Sequence, residues 1–496
     1  MIQLKRLIIS FLTTALALTT ASGTRAQQPL DRKQIPPPGK TPPLRVPAWT
    51  KTTLSNGATL LISEQHNLPL VSFSITFLGG ANQFETASKR GLASMTATML
   101  NEGTATKSGD QLSDALQLLG TSINANIGGE QGAMGFVSTT ARFDATLAVL
   151  SDLLLHPSFP ADALERLRGR TLIDLVQAKD QPEQIGTAVF AKTLYGTTHP
   201  YGQRPTESSI KAITRDDIVA FHKAYFKPGN ALLTVVGDVK PAAVKAAVEQ
   251  ALKAWPKAGR VPSFDYPKAP APGPTTIYLV DKPGAAQSIF ALGLPGPARK
   301  TTDYYALQVL NHILGGQFQS RLNANIREEH GYSYGVSSSF AFGKGPGAFR
   351  AGGAIVSGKT DAALIEFMKE LRGIEGARPV TDEELKTSKD ALIQGLPRTF
   401  GSVAATGASI TSLSVQGLPD DYYQSFAKNI AAITREDLLR VAKQYIDLDQ
   451  LAIIIVGDRA LIEAPLKATG IAPITILDIE GNPVTSGGNA SGAPKN

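Results

Sequence analysis

Residues 213–238 read ITRDDIVAFHKAYFKPGNALLTVVGD, and residues 433–458 repeat the pattern without a gap as ITREDLLRVAKQYIDLDQLAIIIVGD. In each copy a threonine, Thr214 or Thr434, precedes an acidic turn, which suits the free amides and the positive dipole end of a helix. Each copy then continues into an apolar, β-branched run that ends in Gly-Asp, the pattern of a strand followed by a turn. One helix–strand unit therefore occurs twice, which indicates a tandem duplication.

Two predicted strands come first in each copy, and an apolar helix follows them. We expect the two strands to pair with each other, in the first copy across residues 67–69. The elements are strands 58–62 and 71–77 with helix 91–100 in the first copy, and strands 276–280 and 287–292 with helix 303–314 in the second. Each copy has about 200 residues, enough to bury a core. We therefore predict an α+β fold of two homologous domains, each a mostly antiparallel sheet packed with helices.

Proline content marks the predicted domain boundaries. Six prolines between residues 256 and 274 disfavour helix and predict an extended linker, and seven more precede residue 48. The predicted organisation is a signal peptide at 1–26, a proline-rich segment at 27–47, a first domain at 48–255, a linker at 256–275, a second domain at 276–480 and a flexible tail at 481–496.

The amino terminus has the pattern of a secretory signal peptide. Lys5 and Arg6 precede an apolar run from residue 7 to about residue 22, and Thr-Arg-Ala at 24–26 resembles a cleavage site. A periplasmic location follows from this interpretation. A retained amino-terminal anchor and mitochondrial import are the alternatives, although a transit peptide would be amphipathic and arginine-rich. No other segment reaches about 18 apolar residues, so no stable membrane span is predicted.

Charge and cysteine content exclude several classes of function. The formal net charge is +7, and cleavage after residue 26 removes three cations, Lys5, Arg6 and Arg25, which leaves +4. So small a surplus, without a long basic run, argues against nucleic acid as a partner. The chain has no cysteine, which excludes disulfides, thiolate metal sites, cysteine nucleophiles and a lipidated cysteine.

A candidate binding site lies in GGQFQSRLNANIREEHGYSYG at residues 315–335. Residues 320–329 are predicted to be helical, with Arg327 in the last turn, and Tyr334 to begin a strand whose residues 334, 336, 338 and 340 share one face. Arginine and tyrosine there offer convergent donors for a peptide carbonyl or a carboxylate, which suggests substrate holding. Alternatively, Arg327 only complements the helix dipole and Tyr334 is a half-buried strand aromatic.

Three further motifs complete a resemblance to a known family. They are Asn-Glu-Gly-Thr at 101–104, Glu-Arg-Leu-Arg-Gly at 165–169, and Ser-Arg-Leu…Arg-Glu…Gly-Tyr-Ser-Tyr within 320–334. Together with the duplication they resemble the pitrilysin/insulinase family, the inverzincin zinc peptidases, over about residues 48–480. The length is similar to that of short bacterial members, which work as two-chain assemblies.

The chain departs from that family at the zinc site. Active members carry H-x-x-E-H on the first long helix, because two histidines four residues apart can bind zinc while the glutamate activates water. Counted back from residues 103–104, the matching positions hold Ser94, Ala97 and Thr98, and Asp174 stands where the third ligand is expected. No two of the six histidines have ligand spacing. We therefore predict no catalytic residue, no metal ligand and no cofactor on this chain.

The resemblance implies a division of labour between two chains. Arg327 and Tyr334 match the family's arginine–tyrosine pair, which implies that they bind substrate. The chain would then be the zinc-free subunit of a periplasmic heterodimeric metallopeptidase, inactive alone. A homologous H-x-x-E-H partner would hold the zinc and cleave peptides or unfolded polypeptide. The alternative is a non-proteolytic structural or peptide-binding protein of the same fold. Gly315 and Gly316 match a glycine-rich substrate loop of mitochondrial processing peptidase, or simply end a helix.

Overall fold

The computed structural model describes residues 44–259 and 263–484. The predicted signal peptide therefore lies outside the described residues, as do most of the predicted proline-rich segment and most of the predicted tail. Residues 263–275, in the predicted linker, contain neither helix nor strand. No helix within the described part of the chain is long and apolar enough to cross a membrane.

The first half of the described chain forms a mixed sheet covered by helices. Its strands are β1 (Thr50–Thr53), β2 (Thr59–Glu64), β3 (Leu70–Leu78), β4 (Asn124–Ile127), β5 (Gln131–Thr139) and β6 (Ala231–Gly237). Its helices are α1 (Ala81–Phe84), α2 (Leu92–Met99), α3 (Gly109–Leu119), α4 (Phe143–Leu155), α5 (Ala161–Ala178), α6 (Pro182–Tyr195), α7 (Glu207–Ala212), α8 (Arg215–Tyr225) and α9 (Pro241–Ala251). The strand order is β1-β2-β6-β3-β5-β4, with β2 and β6 parallel.

The second half forms a similar sheet. Its strands are β7 (Thr276–Asp281), β8 (Gln287–Pro295), β9 (Ser333–Phe340), β10 (Ala348–Val356), β11 (Ala452–Gly457) and β12 (Ile474–Leu477). Its helices are α10 (Tyr304–Leu314), α11 (Arg321–Asn323), α12 (Thr360–Arg372), α13 (Asp382–Gly395), α14 (Val403–Gln416), α15 (Tyr422–Ala432), α16 (Arg435–Tyr445) and α17 (Arg459–Ala468). The strand order is β12-β7-β11-β8-β10-β9, and β7 runs parallel to both of its neighbours.

The predicted α+β fold of two homologous domains is confirmed, because five strands of each sheet follow the same order, β2-β6-β3-β5-β4 and β7-β11-β8-β10-β9. The outer strands differ, since β1 is antiparallel to β2 and β12 is parallel to β7. The repeated segment forms α8 and β6 in the first half and α16 and β11 in the second. Both helices begin with the predicted cap. Thr214 Oγ1 accepts a hydrogen bond from the Asp217 amide, and Thr434 Oγ1 accepts one from the Asp437 amide, each at 3.2 Å.

The predicted pairing of the first two strands in each copy is wrong. β6 lies between β2 and β3, and β11 lies between β7 and β8. Every residue of β6 is buried, and a strand buried on both faces must satisfy its backbone groups on both edges. The repeated segment therefore takes a central position, and the earlier strands flank it.

The two halves exchange a helix. α6 belongs to the first half but packs against β8 and β11 of the second sheet, while α14 of the second half packs against β3 and β6 of the first. Ile185, Val189 and Phe190 of α6 lie in the same buried cluster as Ile289 and Val456. The second core is thus completed by side chains of the first half, and Ile410 of α14 lies in a smaller buried cluster with first-half residues Leu61, Leu232 and Val236. Both contacts fix the two halves relative to each other.

Each exchanged helix places a glycine against the sheet of the other half. A Cβ added at Gly186 of α6 would lie 3.4 Å from Cγ2 of Ile289, and one at Gly407 of α14 would lie 3.6 Å from Cγ2 of Val236. These separations leave room for little more than a methyl group. The two glycines occupy equivalent places in the exchanged helices. Both copies of the duplication therefore contain the same kind of exchanged helix.

The two exchanged helices contact the sheets through different kinds of side chain. α6 meets its sheet through large apolar side chains, whereas α14 meets β6 through a hydrogen bond of 2.6 Å between the hydroxyl groups of Thr411 and Thr234. Thr406 Oγ1 of α14 also accepts a hydrogen bond of 3.0 Å from the Gln65 side chain. The contact between α14 and the first sheet therefore combines hydroxyl groups with a small apolar cluster of Ile410, Leu61, Leu232 and Val236.

Small polar residues leave an open groove beside α14. Its volume is about 880 Å³, and its walls include Ser72, Ser74 and Thr76 on β3 and Ala404 and Ala408 on α14. The opposite face of β3 carries the apolar core residues, as the two-residue period of a strand requires. We call this space the α14 groove.

The tip of the β9–β10 hairpin is a second link between the halves. It consists of residues 343–347, and the Lys344 amide donates hydrogen bonds of 3.0 Å to the Glu130 carboxylate of the first half. The Tyr195 hydroxyl of α6 donates a hydrogen bond of 3.1 Å to the Pro346 carbonyl oxygen. The hairpin is therefore anchored at its tip as well as in the sheet.

We expect Phe190→Ala to lower the free energy of unfolding by about 3–5 kcal/mol, because it removes a large buried side chain from the core. Since Phe190 reaches the second core from the first half, both halves should unfold in one shifted transition. Urea denaturation followed by circular dichroism measures this. Leu118→Ala, at a side chain 84% exposed, is the control. Two separate transitions, of which only one shifts, would contradict the exchange as a coupling element.

Candidate functional site

The positions that correspond to H-x-x-E-H lie on α2, but their side chains are bonded within that helix or buried. Ser94 Oγ donates a hydrogen bond of 3.0 Å to the Gly91 carbonyl oxygen, and Thr98 Oγ1 donates one of 3.1 Å to the Ser94 carbonyl oxygen. Ala97 is 2% exposed. Two alcohols and a methyl group offer neither imidazole nor carboxylate, so this helix face has neither zinc ligands nor a general base.

The residue at the position of the third zinc ligand does not restore a metal site. Asp174 lies on α5 and is exposed to solvent. Across residues 44–259 and 263–484, no group of three or more histidine, cysteine, aspartate or glutamate side chains is arranged to hold a metal ion.

Arg327 lies in a distorted helical segment rather than in the regular helix predicted for residues 320–329. The α-helical turn of α11 passes into a π-helical turn at Ala324–Glu329, which ends before Gly331 in the left-handed region at φ 64°. Buried Asn325 donates hydrogen bonds of 2.8 Å to both Glu366 and Glu370. These bonds to α12 hold the wider turn, a geometry that is frequent at functional sites.

The Arg327 side chain is one third exposed and lies over an aromatic ring. Its guanidinium carbon is 4.3 Å from the ring centroid of Phe318, which is itself 60% exposed. Its Nε lies 3.4 Å from Glu328 Oε1. Stacking on a ring orients the planar guanidinium and leaves its N–H groups able to bind a carbonyl or a carboxylate.

Sequence reasoning missed Phe318. The sequence does contain a sign of its exposure. Phe318 is the single aromatic residue in the polar run Gly315 to Gln319 that follows the end of α10. An exposed aromatic ring in such a segment has no core to fill, and here it supports Arg327.

Tyr334 is exposed because of a β-bulge in β9. Ser333 pairs with Ile355 and Val336 pairs with Gly353, so two residues, Tyr334 and Gly335, face one residue of β10. The extra residue turns Tyr334 outward, where it is 90% exposed, while Val336, Ser338 and Phe340 remain buried. The prediction that all four share one face is therefore wrong, and so is the alternative of a half-buried strand aromatic. Bulges often redirect a side chain at a functional site.

The structure brings Arg327 and Tyr334 to the same end of the second sheet. β9 is the last strand in the sheet among the described residues, and the π-helical turn packs against it. Asn323 connects the two elements, because its Oδ1 accepts a hydrogen bond of 3.2 Å from the Val336 amide. Arg327, the Phe318 ring under it and the exposed Tyr334 on the adjacent strand are together called the Arg–Tyr surface.

Gly315 and Gly316 have a packing role. A Cβ at Gly315 would lie 2.4 Å from the Ser338 amide nitrogen, and one at Gly316 would lie 2.6 Å from the Asn311 side-chain nitrogen. Close backbone approach therefore requires glycine at both positions. Gly316 also lines a cavity of about 570 Å³.

The start of α11 is held by an ion pair. Arg321 Nε and Nη2 donate hydrogen bonds of 2.7 Å to the two carboxylate oxygens of Glu384, and Glu384 also accepts one of 2.9 Å from the Thr381 amide. Partial burial raises the pKa of Glu384, but the hydrogen bonds from Arg321 and Thr381 outweigh it and lower that pKa to about 2. The pair ties the segment that carries Arg327 to α13.

Two family models match the chain. Residues 60–201 match the model for insulinase (peptidase family M16), and residues 212–392 match the model for the peptidase M16 inactive domain. The protein named uncharacterized zinc protease YmxG from Bacillus subtilis is 23% identical over 68% of this chain and 81% of its own length. The protein named non-peptidase homolog YmxG from Helicobacter pylori is 22% identical over 81% of this chain and 92% of its own length.

Solved structures share the fold. The crystal structure of a peptidase M16 inactive domain from Pseudomonas fluorescens superimposes with a TM-score of 0.75 at 26% identity, over 82% of this chain and 98% of that one. A protease from Helicobacter pylori also gives a TM-score of 0.75, over 83% of this chain and 100% of that one. Its identity is 21%, so this second likeness concerns the fold alone.

We expect Glu384→Gln to lower the free energy of unfolding by about 1.5–3 kcal/mol at neutral pH, because it removes a charged hydrogen-bond partner of Arg321. The pKa of Glu384 is about 2 in the folded chain, against an ordinary value of 4.5, so the stabilisation is complete above 4.5 and is lost as the pH falls toward 2. The difference from the unchanged chain, measured by urea denaturation, should therefore shrink on acidification.

Glu463→Gln is the matched control, since Glu463 forms an exposed pair with Arg459 on one helix. Such a pair contributes about 0–1 kcal/mol. A Glu384→Gln effect that stays constant between neutral and acidic pH would contradict the ion pair as its cause.

Proposed function

Because the chain belongs to peptidase family M16, the insulinase family, we propose that it is the zinc-free subunit of a heterodimeric metallopeptidase. It binds peptide or unfolded polypeptide, and a homologous partner with H-x-x-E-H cleaves it. The observation that carries this proposal is a contrast between the halves. The first has Ser94, Ala97 and Thr98 where the zinc motif would be, while the second presents Arg327 and Tyr334 to solvent.

The Arg–Tyr surface supplies donors suited to a peptide. The guanidinium of Arg327 can form paired hydrogen bonds to a carboxylate or bond to a carbonyl oxygen, and the Tyr334 hydroxyl can bond to a second carbonyl. Phe318 keeps the guanidinium oriented, which lowers the entropy lost when the peptide binds. In the heterodimer the partner's zinc supplies the activated water. This chain's part is to hold the peptide in register with it.

Burying these donors in a complex has a physical rationale. An aromatic side chain that is 90% exposed on a bulged edge strand contributes little to the fold of the isolated chain. If a partner covered Tyr334, its ring could pack against apolar groups and its hydroxyl could form a hydrogen bond, as tyrosine commonly does at interfaces. The proposal therefore assigns the Arg–Tyr surface to the chamber between the two subunits.

The location and the metal content belong to the same proposal. The leader at residues 1–26 has the composition of a signal peptide, which supports secretion to the periplasm. The side chains on α2 support a chain without its own zinc, since none of them is a ligand that zinc prefers.

A non-proteolytic peptide-binding or structural protein is the second candidate. The name of the Helicobacter pylori relative, a non-peptidase homolog, favours it. Both candidates use the Arg–Tyr surface, and they differ in whether a zinc-bearing partner cleaves what this chain holds.

We expect Arg327→Ala to reduce kcat/KM for a model peptide by about 10- to 100-fold in the mixed dimer, the value of a hydrogen bond to a charged group. Tyr334→Phe should reduce it by about 3- to 10-fold, because it removes a neutral hydrogen bond and keeps the ring. The measurement is turnover by the chain co-expressed with its zinc-bearing homologue. Circular dichroism of each variant should be unchanged, since Arg327 is one third exposed and Tyr334 is 90% exposed, and neither belongs to the buried core.

Arg142→Ala, at an exposed arginine of the first half, is the control for lost charge. Unchanged turnover in both the Arg327 and the Tyr334 variants would contradict the role of the Arg–Tyr surface.

A further inference from the structure

Arg299 is a buried cation without a carboxylate partner in the described part of the chain. It lies between β8 and α10 and is 8% exposed. Its guanidinium carbon is 3.4 Å from the ring centroid of Tyr304 and 5.4 Å from that of Tyr422. The Arg299 amide donates a hydrogen bond of 2.9 Å to the Gly343 carbonyl oxygen. Arginine keeps its charge in proteins, and a buried charge is costly unless something pairs with it.

The cavity around Arg299 is built for an anion. Its volume is about 570 Å³, and no aspartate or glutamate of the described residues lines it, whereas a second arginine, Arg398, does. Arg398 lies in the 3₁₀ turn Leu396–Phe400 and is exposed at the rim. We call the space lined by Arg299, Tyr304, Arg398 and Tyr422 the Arg299 pocket. Two guanidinium groups and no acid in one cavity match a carboxylate, which arginine binds through two parallel hydrogen bonds.

Neighbouring polar groups leave this charge uncompensated. His312 also lines the pocket, and its Nδ1 lies 3.1 Å from Ser388 Oγ. Burial lowers the pKa of His312, so this imidazole is neutral at physiological pH. Burial also raises the pKa of Tyr422, which keeps its phenol protonated. The net charge of the pocket therefore comes from the two arginines.

The pocket adjoins the α14 groove. Ser412 and Gln416 line both cavities, so the two spaces are neighbours at the carboxyl-terminal half of α14. The groove offers hydroxyl groups and small side chains, which suit a peptide backbone without selecting its sequence. The volumes, about 880 and 570 Å³, lie in the range of ligand sites. A peptide that lies in the groove and extends past Ser412 and Gln416 would bring an anionic group to Arg299.

We propose that the Arg299 pocket binds a carboxylate of an extended peptide whose backbone lies in the α14 groove. The inference rests on the proposed function in one respect, that the ligand is a peptide. The carboxylate is either the carboxyl terminus or an acidic side chain, since both present the same two oxygens. Arg299 pairs with it inside the pocket, Tyr304 and Tyr422 hold the guanidinium in place, and Arg398 closes the rim. The site shares no residue with the Arg–Tyr surface.

The test is calorimetric titration of the full chain, without its partner, with three short acetylated peptides of alanine, serine and glycine. One ends in a free carboxylate, one in an amide, and one in an amide with a single internal glutamate. We expect at least one of the two acidic peptides to bind about tenfold or more tightly than the neutral amide, as a charged hydrogen bond implies. The acidic peptide that binds identifies the source of the carboxylate.

Arg299→Gln and Arg398→Gln should each abolish that preference, and Arg142→Gln, outside the pocket, should retain it. Arg398→Gln carries the test by itself if Arg299→Gln does not fold, because Arg398 is exposed. Equal binding of all three peptides, a preference unchanged in both pocket variants, or binding of inorganic phosphate with none of the acidic peptides would overturn the inference.

The two proposals fail in different ways. A carboxylate preference that depends on Arg299, found together with turnover that does not depend on Arg327 and Tyr334, would contradict the proposed function alone. Turnover that depends on those two residues, without any carboxylate preference, would contradict this inference alone.

Discussion

The packing of α6 into the second core is the interaction on which the rest of the structure depends. Phe190 and Val189 reach across from the first half and are buried among the strands of the second sheet. Two domains joined only by a proline-rich connection would move independently. The buried helix instead makes the position of each sheet depend on the other, so the edge of β9 that carries Tyr334 has a fixed relation to the first half.

The contact of α14 with the first sheet has a different chemistry. The cavities proposed to bind peptide lie beside this contact. α14 meets the first sheet through Ile410 and through hydroxyl groups, while small side chains of α14 and β3 leave the α14 groove beside the contact. The same helix forms a wall of the Arg299 pocket through Ser412 and Gln416. The equivalent helices of the two copies thus have different roles. α6 fills the core of the second sheet, and α14 forms a wall of two open cavities.

Local signals made part of this architecture predictable. Thr214 and Thr434 cap their helices as the sequence predicts, because a cap depends on residues three positions apart. The missing zinc motif could also be identified, since H-x-x-E-H is a short spacing on one helix. The order of the strands could not, because β6 joins the sheet from far along the chain and periodicity does not specify neighbours.

The details of the two candidate sites depend on tertiary contacts. Tyr334 faces solvent because of the register between β9 and β10, and a sequence that alternates regularly gives no sign of a bulge. Arg299 lies in a polar loop, and a polar loop is expected to be exposed. It is buried because α10 and α15 place Tyr304 and Tyr422 against it. The central claim is that this chain binds peptide while a partner holds the metal. Zinc counting on the purified mixed dimer tests it most directly: we expect one zinc ion per dimer and none on this chain alone, and zinc bound by this chain would contradict the account.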